Sequence, residues 1–220
     1  MFASEARRLR EILLAQDDIS PLLNLGSSTR AFRERTKPHI ETELFAPLRA
    51  AGVEVVHCDR KAEDGVDVVG DVLDPALQSA LAERGFRCVL LANLLEHVAD
   101  RPTVAAACER IAGPGGLILA TVPSSFPYHA DPIDSGYRPS PGELAALFGG
   151  SRPILAEEVG GQSYGERLHT SGATVPGELA RTLLSMLAAP LRPKRARARL
   201  DRWRWYGRPY RVSITLLRVG

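Results

Sequence analysis

The chain of 220 residues is 45% apolar and 25% charged, with a formal net charge of +2, which is typical of a globular protein. Its length is sufficient to bury a full core, most simply as one domain with a small addition. No stretch approaches the roughly 20 apolar residues of a membrane span, and the start lacks a signal-peptide pattern, so we expect a cytoplasmic protein.

The first predicted elements are a helix at residues 4–16 and a buried strand at residues 21–25. The helix has its apolar residues on one face, and the strand is an apolar run too short for a helix. Gly26 closes the strand where the chain must bend sharply or let a ligand approach closely. Ligands of open parallel sheets bind beyond the carboxyl ends of the strands, so this turn is a candidate cofactor site, and an ordinary loop is the alternative.

Helices and strands alternate through the next hundred residues. Residues 38–52 predict a helix that Pro47 must kink or split. Strands are predicted at residues 53–59, 66–71, 87–93 and 117–122, with helices at residues 75–85 and 96–112. The first two of these strands end in acids, Asp59 and Asp71. The alternation predicts an α/β fold with a doubly wound, mostly parallel sheet and right-handed crossovers.

The last third of the chain closes the predicted sheet. After a polar and aromatic loop, a helix is predicted at residues 141–148 and closing strands at residues 153–159 and 210–219. Between those strands lies an insertion, about residues 161–208, with an apolar helix at residues 176–189 and then a basic run. We therefore expect one domain over residues 1–220, its core at about residues 20–160 completed by the last strand.

The basic run is the main asymmetry of charge. Residues 1–190 carry 18 basic and 25 acidic side chains, whereas residues 191–220 carry 10 basic and one acidic. Arginine outnumbers lysine 25 to 3 over the whole chain, so the run is only a weak sign of nucleic-acid binding. From Arg192 to Arg208 it includes Trp203, Trp205 and Tyr206, which suits weak, salt-sensitive association with an anionic lipid surface, a phosphorylated carrier or an acidic protein; a solvated helix face is the alternative.

Three motifs carry a resemblance to a known family. They are residues 94–98 (Leu-Leu-Glu-His-Val), residues 113–123 (Gly-Pro-Gly-Gly-Leu-Ile-Leu-Ala-Thr-Val-Pro) and residues 127–134 (Pro-Tyr-His-Ala-Asp-Pro-Ile-Asp). Over about residues 20–160 the chain resembles the class I S-adenosylmethionine-dependent methyltransferases, and the third motif looks like the branch found beside glycan-modifying and natural-product enzymes. The resemblance implies a Rossmann-like, seven-stranded sheet, with the helical basic insertion before its last strand.

The resemblance also implies S-adenosylmethionine as the cofactor. The glycine turn would hold the methionine end, Asp59 the ribose hydroxyls, and Asp71 would lie by the adenine. The implied cofactor residues are Asn24, Gly26, Ser27, Ser28, Asp59, Asp71, Asn93, Leu94 and Glu96. A carboxylate at a strand end is well suited to accept two hydroxyl hydrogen bonds from a ribose. The alternative for Asp59 and Asp71 is a solvated strand-end acid.

The glycine turn departs from the family pattern. Asn24 stands where an acid is usual, and Ser28 and Arg30 stand in place of two further glycines. The leading hypothesis is O-methylation of a small molecule or glycan. The alternatives are a methyltransferase-fold protein that binds a partner without catalysis and, third, a nicotinamide-dependent oxidoreductase, whose three-glycine fingerprint is missing.

The loop after the fifth predicted strand supplies the candidate catalytic residues. His129, Asp131 and Asp134 offer a base for an acceptor that must lose a proton, because the transfer itself is mainly a matter of positioning. Tyr128, Tyr137 and Arg138 are predicted to shape the acceptor pocket, Arg138 by pairing with an anionic group. Two alternatives to a catalytic role remain: Asp131 and Asp134 cap turns, or His129 and one of these acids hold a divalent metal.

Cysteine usage argues against a metal site. Cys58, Cys88 and Cys108 lack metal-ligand spacing and lie in apolar surroundings. Small buried thiols are therefore the favoured interpretation, and no metal is expected.

Overall fold

In a computed structural model the chain forms a seven-stranded sheet with helices packed on it. The structure describes residues 1–128, 133–170 and 172–220. The strands are β1 (Leu22–Leu25), β2 (Val55–Asp59), β3 (Val68–Val69), β4 (Cys88–Ala92), β5 (Leu117–Ser125), β6 (Ser151–Ser163) and β7 (Pro209–Val219). Their order in the sheet is β3-β2-β1-β4-β5-β7-β6.

The sheet is mostly parallel and doubly wound, as predicted. Strands β1 to β5 run parallel, and β7 runs antiparallel to both β5 and β6. The strand order reverses between β1 and β4, which lie side by side. A crevice beyond the carboxyl ends of those two strands is the usual ligand site of such sheets.

Two strands differ in length from the prediction: β3 is shorter and β6 is longer. Of the strand expected at residues 66–71, only Val68–Val69 forms β3, and the carboxylate of the preceding Asp67 accepts from the His57 amide (2.8 Å). Strand β6 runs from Ser151 to Ser163, longer than the prediction, because it pairs along almost the whole of β7.

The α-helices occupy most of the segments predicted to be helical. They are α1 (Ala3–Leu14), α2 (Ala46–Ala50), α3 (Pro75–Ala82), α4 (Arg101–Ala112), α5 (Pro141–Ala146), α6 (Tyr164–Thr170), α7 (Val175–Leu187) and α8 (Pro193–Trp203). The helix predicted at residues 38–52 is split at Pro47, as expected: a π-helical turn, Glu41–Phe45, precedes α2. Proline has no amide hydrogen to donate, so the regular hydrogen-bond ladder cannot continue through it.

The core lies in two layers, one on each face of the sheet. Neighbouring residues of β1 contribute to opposite layers, Leu22 to the side covered by α1 and Leu23 to the side covered by α4. This alternation follows from the two-residue period of a strand. Both faces are covered, so the central strands are buried throughout.

The predicted insertion is helical and comprises α6, α7 and α8 between β6 and β7. Its inner side forms a small apolar cluster of Tyr164, Leu168 and Tyr210, with Trp203 and Trp205 packed against it. In the described part of the chain, no helix is both long enough and apolar enough to cross a membrane.

Candidate functional site

A crevice lies at the carboxyl ends of the parallel strands, where the strand order reverses. Its cavity measures about 110 Å³. The walls come from residues 25–26 after β1, residues 58–60 at the end of β2, residues 70–73 after β3, and Leu94, Val98 and Val104 after β4. The crevice therefore has an apolar wall on the β4 side and two acids, Asp59 and Asp71, on the β2 side.

The turn after β1 is fastened to the end of β2. Gly26 has φ +73° and Ser28 φ +54°, so both adopt the left-handed conformation that glycine tolerates best. The amides of Gly26 and Ser27 donate to the Cys58 carbonyl oxygen, at 2.8 and 3.0 Å. The Ser28 amide donates to Asp59 Oδ2 at 2.7 Å. The first wall of the crevice is thus held in place by the second.

Arg33 is the buried organiser of this turn. Its guanidinium donates to the carbonyl oxygens of Ser27 (3.1 Å), Ser28 (2.7 Å) and Gly65 (2.7 Å), and the residue is buried. Burial lowers the pKa of Arg33, although an arginine stays charged at neutral pH. Sequence reasoning missed it, because one arginine among 25 in a polar stretch gives no signal of burial.

The two acids of the crevice are engaged to different degrees. Asp59 accepts one backbone hydrogen bond at each oxygen, from Ser28 and from Lys61 (3.1 Å). A carboxylate oxygen has two lone pairs, so both oxygens keep acceptor capacity for a ligand. Asp71 accepts from the Leu73 amide (3.0 Å) and lies 3.4 Å from Arg60 Nε, an ion pair at an exposed arginine.

The floor of the crevice beneath the turn is closed by Leu94. A Cβ placed on Gly26 would lie 2.8 Å from Leu94 Cδ1, so this glycine leaves room for that side chain.

Asn24 is buried inside β1, and its amide nitrogen lies 3.0 Å from His57 Nδ1. Burial, followed by the charge of Arg33, lowers the pKa of His57 to about 4, so its ring is neutral at pH 7. Asn24 therefore contacts the neighbouring strand in this structure.

The end of β4 is tied to α1 through a buried glutamate. Asn93, with φ +54°, donates its side-chain amide to Glu5 Oε1 at 2.7 Å, and Thr121 Oγ1 donates to the same oxygen at 2.8 Å. Glu5 is fully buried. Sequence reasoning placed it in the first helix without a role, because its partners lie 88 and 116 positions away.

Glu96 is a buried acid next to this network. It is 1% exposed, and its Oε2 has no hydrogen-bond partner among the described residues. Burial raises the pKa of Glu96 to about 7, against the opposing effects of its hydrogen bonding and of nearby His97, whose Nε2 lies 3.8 Å from Oε1. This carboxyl group therefore exchanges a proton near neutral pH.

The predicted catalytic loop is described only in part. His129 and Asp131 lie outside the described residues. Asp134 is buried and accepts two hydrogen bonds from Arg138, at 3.0 and 2.5 Å, as well as one from the Gly136 amide at 2.8 Å. In this structure Asp134 thus holds a turn and a guanidinium, and its role in catalysis stays a prediction.

The three predicted acceptor-pocket residues have different surroundings. Arg138 is held by Asp134 and also donates to the Phe126 and Tyr137 carbonyl oxygens. The Tyr137 ring lies under the Arg101 guanidinium, 4.4 Å from ring centre to Cζ, while Tyr128 is 69% exposed. Their contact with a substrate stays a prediction.

The described residues contain no group of three metal-binding side chains placed to hold an ion. Cys58, Cys88 and Cys108 are buried free thiols, as predicted, and burial raises the pKa of each. Cys58 and Cys108 pack in the core layer on the α4 side of the sheet, and Cys88 packs in the layer on the α1 side.

Comparisons with known proteins identify the fold. No protein-family model and no curated protein sequence matches the chain. Among solved structures, a Galdieria sulphuraria protein assigned as a sarcosine dimethylglycine methyltransferase is 12% identical with a TM-score of 0.55, over 97% of this chain and 85% of that one. Coclaurine N-methyltransferase bound to N-methylheliamine and SAH is 12% identical with a TM-score of 0.53, over 98% and 72%.

A third similar structure is the cyclase SpnF, 15% identical with a TM-score of 0.50, over 97% of this chain and 81% of that one. At these identities the likeness defines the fold. The chain has the Rossmann-like fold of the class I S-adenosylmethionine-dependent methyltransferases, as its motifs predicted.

Proposed function

We propose that the protein is an S-adenosylmethionine-dependent methyltransferase. The observation that carries the proposal is the convergence of the Gly26 turn and Asp59 at the strand-order reversal, joined by the Ser28 to Asp59 hydrogen bond. A glycine turn and a strand-end acid facing one crevice are what a nucleoside ligand requires in this architecture. The likeness to methyltransferase structures supports the same assignment.

The residues present fit the nucleoside half of the cofactor. A ribose offers two hydroxyl donors, and both oxygens of Asp59 retain lone pairs toward the crevice. The apolar side chains of Val72, Leu73 and Val98 line the adjoining wall, which suits the faces of a purine ring. Asp71 stands next to that wall and can accept a hydrogen bond from an exocyclic amine.

The methionine half fits after one side-chain movement. Leu94 packs its terminal methyl groups over Gly26, and a change of its rotamer would open the turn without moving the backbone. The neutral amide of Asn24 replaces an acid at this position, so cofactor affinity must come mainly from the nucleoside contacts. Bound there, S-adenosylmethionine supplies an electrophilic methyl group on a sulfonium.

The chain's own part in the reaction is to position the acceptor and to receive a proton. We propose an oxygen acceptor on a small molecule or glycan, with His129 as the base, in the loop that follows β5. Since Asp134 is committed to Arg138 and Gly136, Asp131 is the better group to orient the His129 ring. Tyr128 and Tyr137 are proposed to shape the acceptor pocket, with Arg138 held beside them.

Calorimetric titration with S-adenosylhomocysteine tests the proposal. Asp59→Ala should weaken binding by about 1 to 3 kcal/mol, through the loss of charge-assisted hydrogen bonds. Asp17, an exposed acid three residues after α1, supplies the matched control. Asp17→Ala should bind S-adenosylhomocysteine as the unchanged protein does. Equal affinity of the two variants would remove Asp59 from the site.

A second function deserves a test because of specific features of the crevice. Leu94 covers the glycine turn, Asn24 is uncharged, and Arg60 pairs with Asp71. These contacts suit a protein that keeps the fold and binds a partner without a cofactor. A fold alone does not determine the reaction, and one of the similar structures is a cyclase, SpnF. Absence of any S-adenosylhomocysteine binding would favour this alternative.

A further inference from the structure

Helix α7 is turned with its apolar side outward. Its buried residues include Glu178 and Thr182, which are polar. Its exposed large apolar residues are Leu179, Leu183, Leu184, Met186 and Leu187, which are 45% to 79% exposed. At about 100° per residue these five side chains fall within roughly half of the helix circumference. The helix thus presents a continuous apolar face to the outside.

Polar contacts fix this orientation. Glu178 accepts hydrogen bonds from Tyr164 Oη and Arg199, each at 3.2 Å, and from Arg181 at 3.3 Å. Thr182 Oγ1 accepts from Trp203 Nε1 at 3.0 Å. Because α6 and α8 hold the polar side of α7, rotating the helix to bury its leucines would separate Glu178 from Tyr164 and Arg199.

Arginines surround the apolar face. A cavity of about 480 Å³ lies between α7 and α8, and it is lined by Arg181, Leu184, Ser185, Ala188, Arg192, Arg199 and Arg202. The acids nearby are already paired, Glu178 with Arg181 and Arg199, and Asp201 with Arg204 at 3.0 Å. Arg192, which lines this cavity, and Arg197 of α8 are exposed, and the described residues offer neither an ion-pair partner. The cavity beside Leu184 is therefore positively charged.

We propose that α7 and α8, residues 175–203, form a docking surface for an anionic lipid bilayer. The leucines of α7 would enter the boundary between headgroups and acyl chains, while the arginines of α8 and Arg181 bind headgroup phosphates. An amphipathic helix with leucines on one side and arginines beside it is the arrangement that holds peripheral proteins at such surfaces. The proposal does not depend on the methyltransferase assignment.

The shape of the surface selects a bilayer over a protein groove. Leu183, Leu184 and Leu187 of α7 are 61% to 79% exposed, and Leu191, in the turn between α7 and α8, is 87% exposed. Projecting apolar side chains are best covered by a deformable apolar phase such as the acyl chains of a bilayer. The long side chains of neighbouring arginines can extend from the apolar region to the headgroup phosphates. Trp203 and Trp205 pack on the inner side of the insertion, so the outward surface consists of the α7 apolar residues and the arginines.

Vesicle co-sedimentation tests the proposal on the full chain. The protein should pellet with phosphatidylcholine vesicles that contain phosphatidylglycerol, pellet less at high salt, and stay in solution with phosphatidylcholine alone. Absence of binding to the anionic vesicles at low salt would overturn the proposal.

Two pairs of variants separate the apolar and charged contributions. Leu183→Gln with Leu187→Gln should weaken vesicle binding at least about tenfold, whereas Leu14→Gln with Ile154→Gln, exposed apolar residues elsewhere, should not. Arg192→Gln with Arg197→Gln should weaken it about 10- to 30-fold, whereas Arg7→Gln with Arg152→Gln, also exposed, should have a small effect.

Two results would contradict the assignment. One is binding by both surface variants equal to that of their controls. The other is a concentration-dependent dimer, seen by sedimentation velocity without lipid, that Leu183→Gln with Leu187→Gln abolishes; the apolar face would then be covered by a second copy of the chain.

Discussion

The Ser28 amide and the Asp59 carboxylate are joined by a hydrogen bond of 2.7 Å that links the turn after β1 to the end of β2. Ser28 adopts the left-handed conformation, with φ +54°. Each Asp59 oxygen accepts one backbone hydrogen bond and keeps a lone pair for a further donor. The geometry of the turn and the position of Asp59 therefore depend on each other.

Gly26→Ala is predicted to destabilise the fold and to weaken S-adenosylhomocysteine binding. The new Cβ meets Leu94 at 2.8 Å, and alanine at φ +73° adds about 1 to 2 kcal/mol of backbone strain. Gly85→Ala is the matched control, since Gly85 has φ +67° with nothing within 4 Å of its Cβ position. Urea denaturation should show a larger loss for Gly26→Ala than for Gly85→Ala; equal losses would mean that Leu94 yields freely.

Arg33→Ala is predicted to lower the free energy of unfolding by about 2 to 4 kcal/mol. The substitution leaves the carbonyl oxygens of Ser27, Ser28 and Gly65 without their buried donor. Arg35→Ala, two residues on and exposed, should stay within about 0.5 kcal/mol of the unchanged protein. If thermal and urea unfolding give the same stability for both variants, Arg33 does not organise the turn.

Glu96→Gln is predicted to stabilise the protein at pH 8 and to have little effect at pH 5. Burial raises the pKa of Glu96 to about 7, above its ordinary value of 4.5. Between pH 4.5 and pH 7, the folded chain therefore keeps a proton on Glu96 that the unfolded chain has released. The free energy of unfolding falls as the pH rises through this range.

Glutamine carries no such proton equilibrium, so the advantage of Glu96→Gln should grow over that window to at most about 3 kcal/mol. Urea midpoints at pH 5 and pH 8 measure it. Asp17→Asn, an exposed acid, serves as the control for a change of charge. A constant difference at both pH values would show that Glu96 is ionised at pH 5 in the folded state.

His129→Ala is predicted to lower kcat by about 10² to 10⁴ while S-adenosylhomocysteine affinity is nearly unchanged, because the proposed cofactor contacts come from other loops. Asp134→Asn should in addition lower thermal stability, since the Asp134 carboxylate holds Arg138. Activity that survives His129→Ala and is lost in Asp131→Asn would assign the base to a carboxylate or a metal site.

The sequence predicted what local pattern determines and missed what tertiary contacts determine. The alternation of strands and helices, the break at Pro47 and the left-handed Gly26 turn follow from short stretches of chain. Glu5 and Arg33 gave no signal, because their burial depends on partners far along the chain. The outward face of α7 was hidden for the same reason: only the contacts of Glu178 show which side is turned inward.

Calorimetric titration of the unmodified protein with S-adenosylhomocysteine is the decisive test of the methyltransferase assignment. A methyltransferase should give a saturable heat of binding with one ligand per chain, together with a rise in the melting temperature. Neither heat nor a thermal shift at millimolar ligand would contradict the methyltransferase assignment and leave a protein that has the fold without the cofactor.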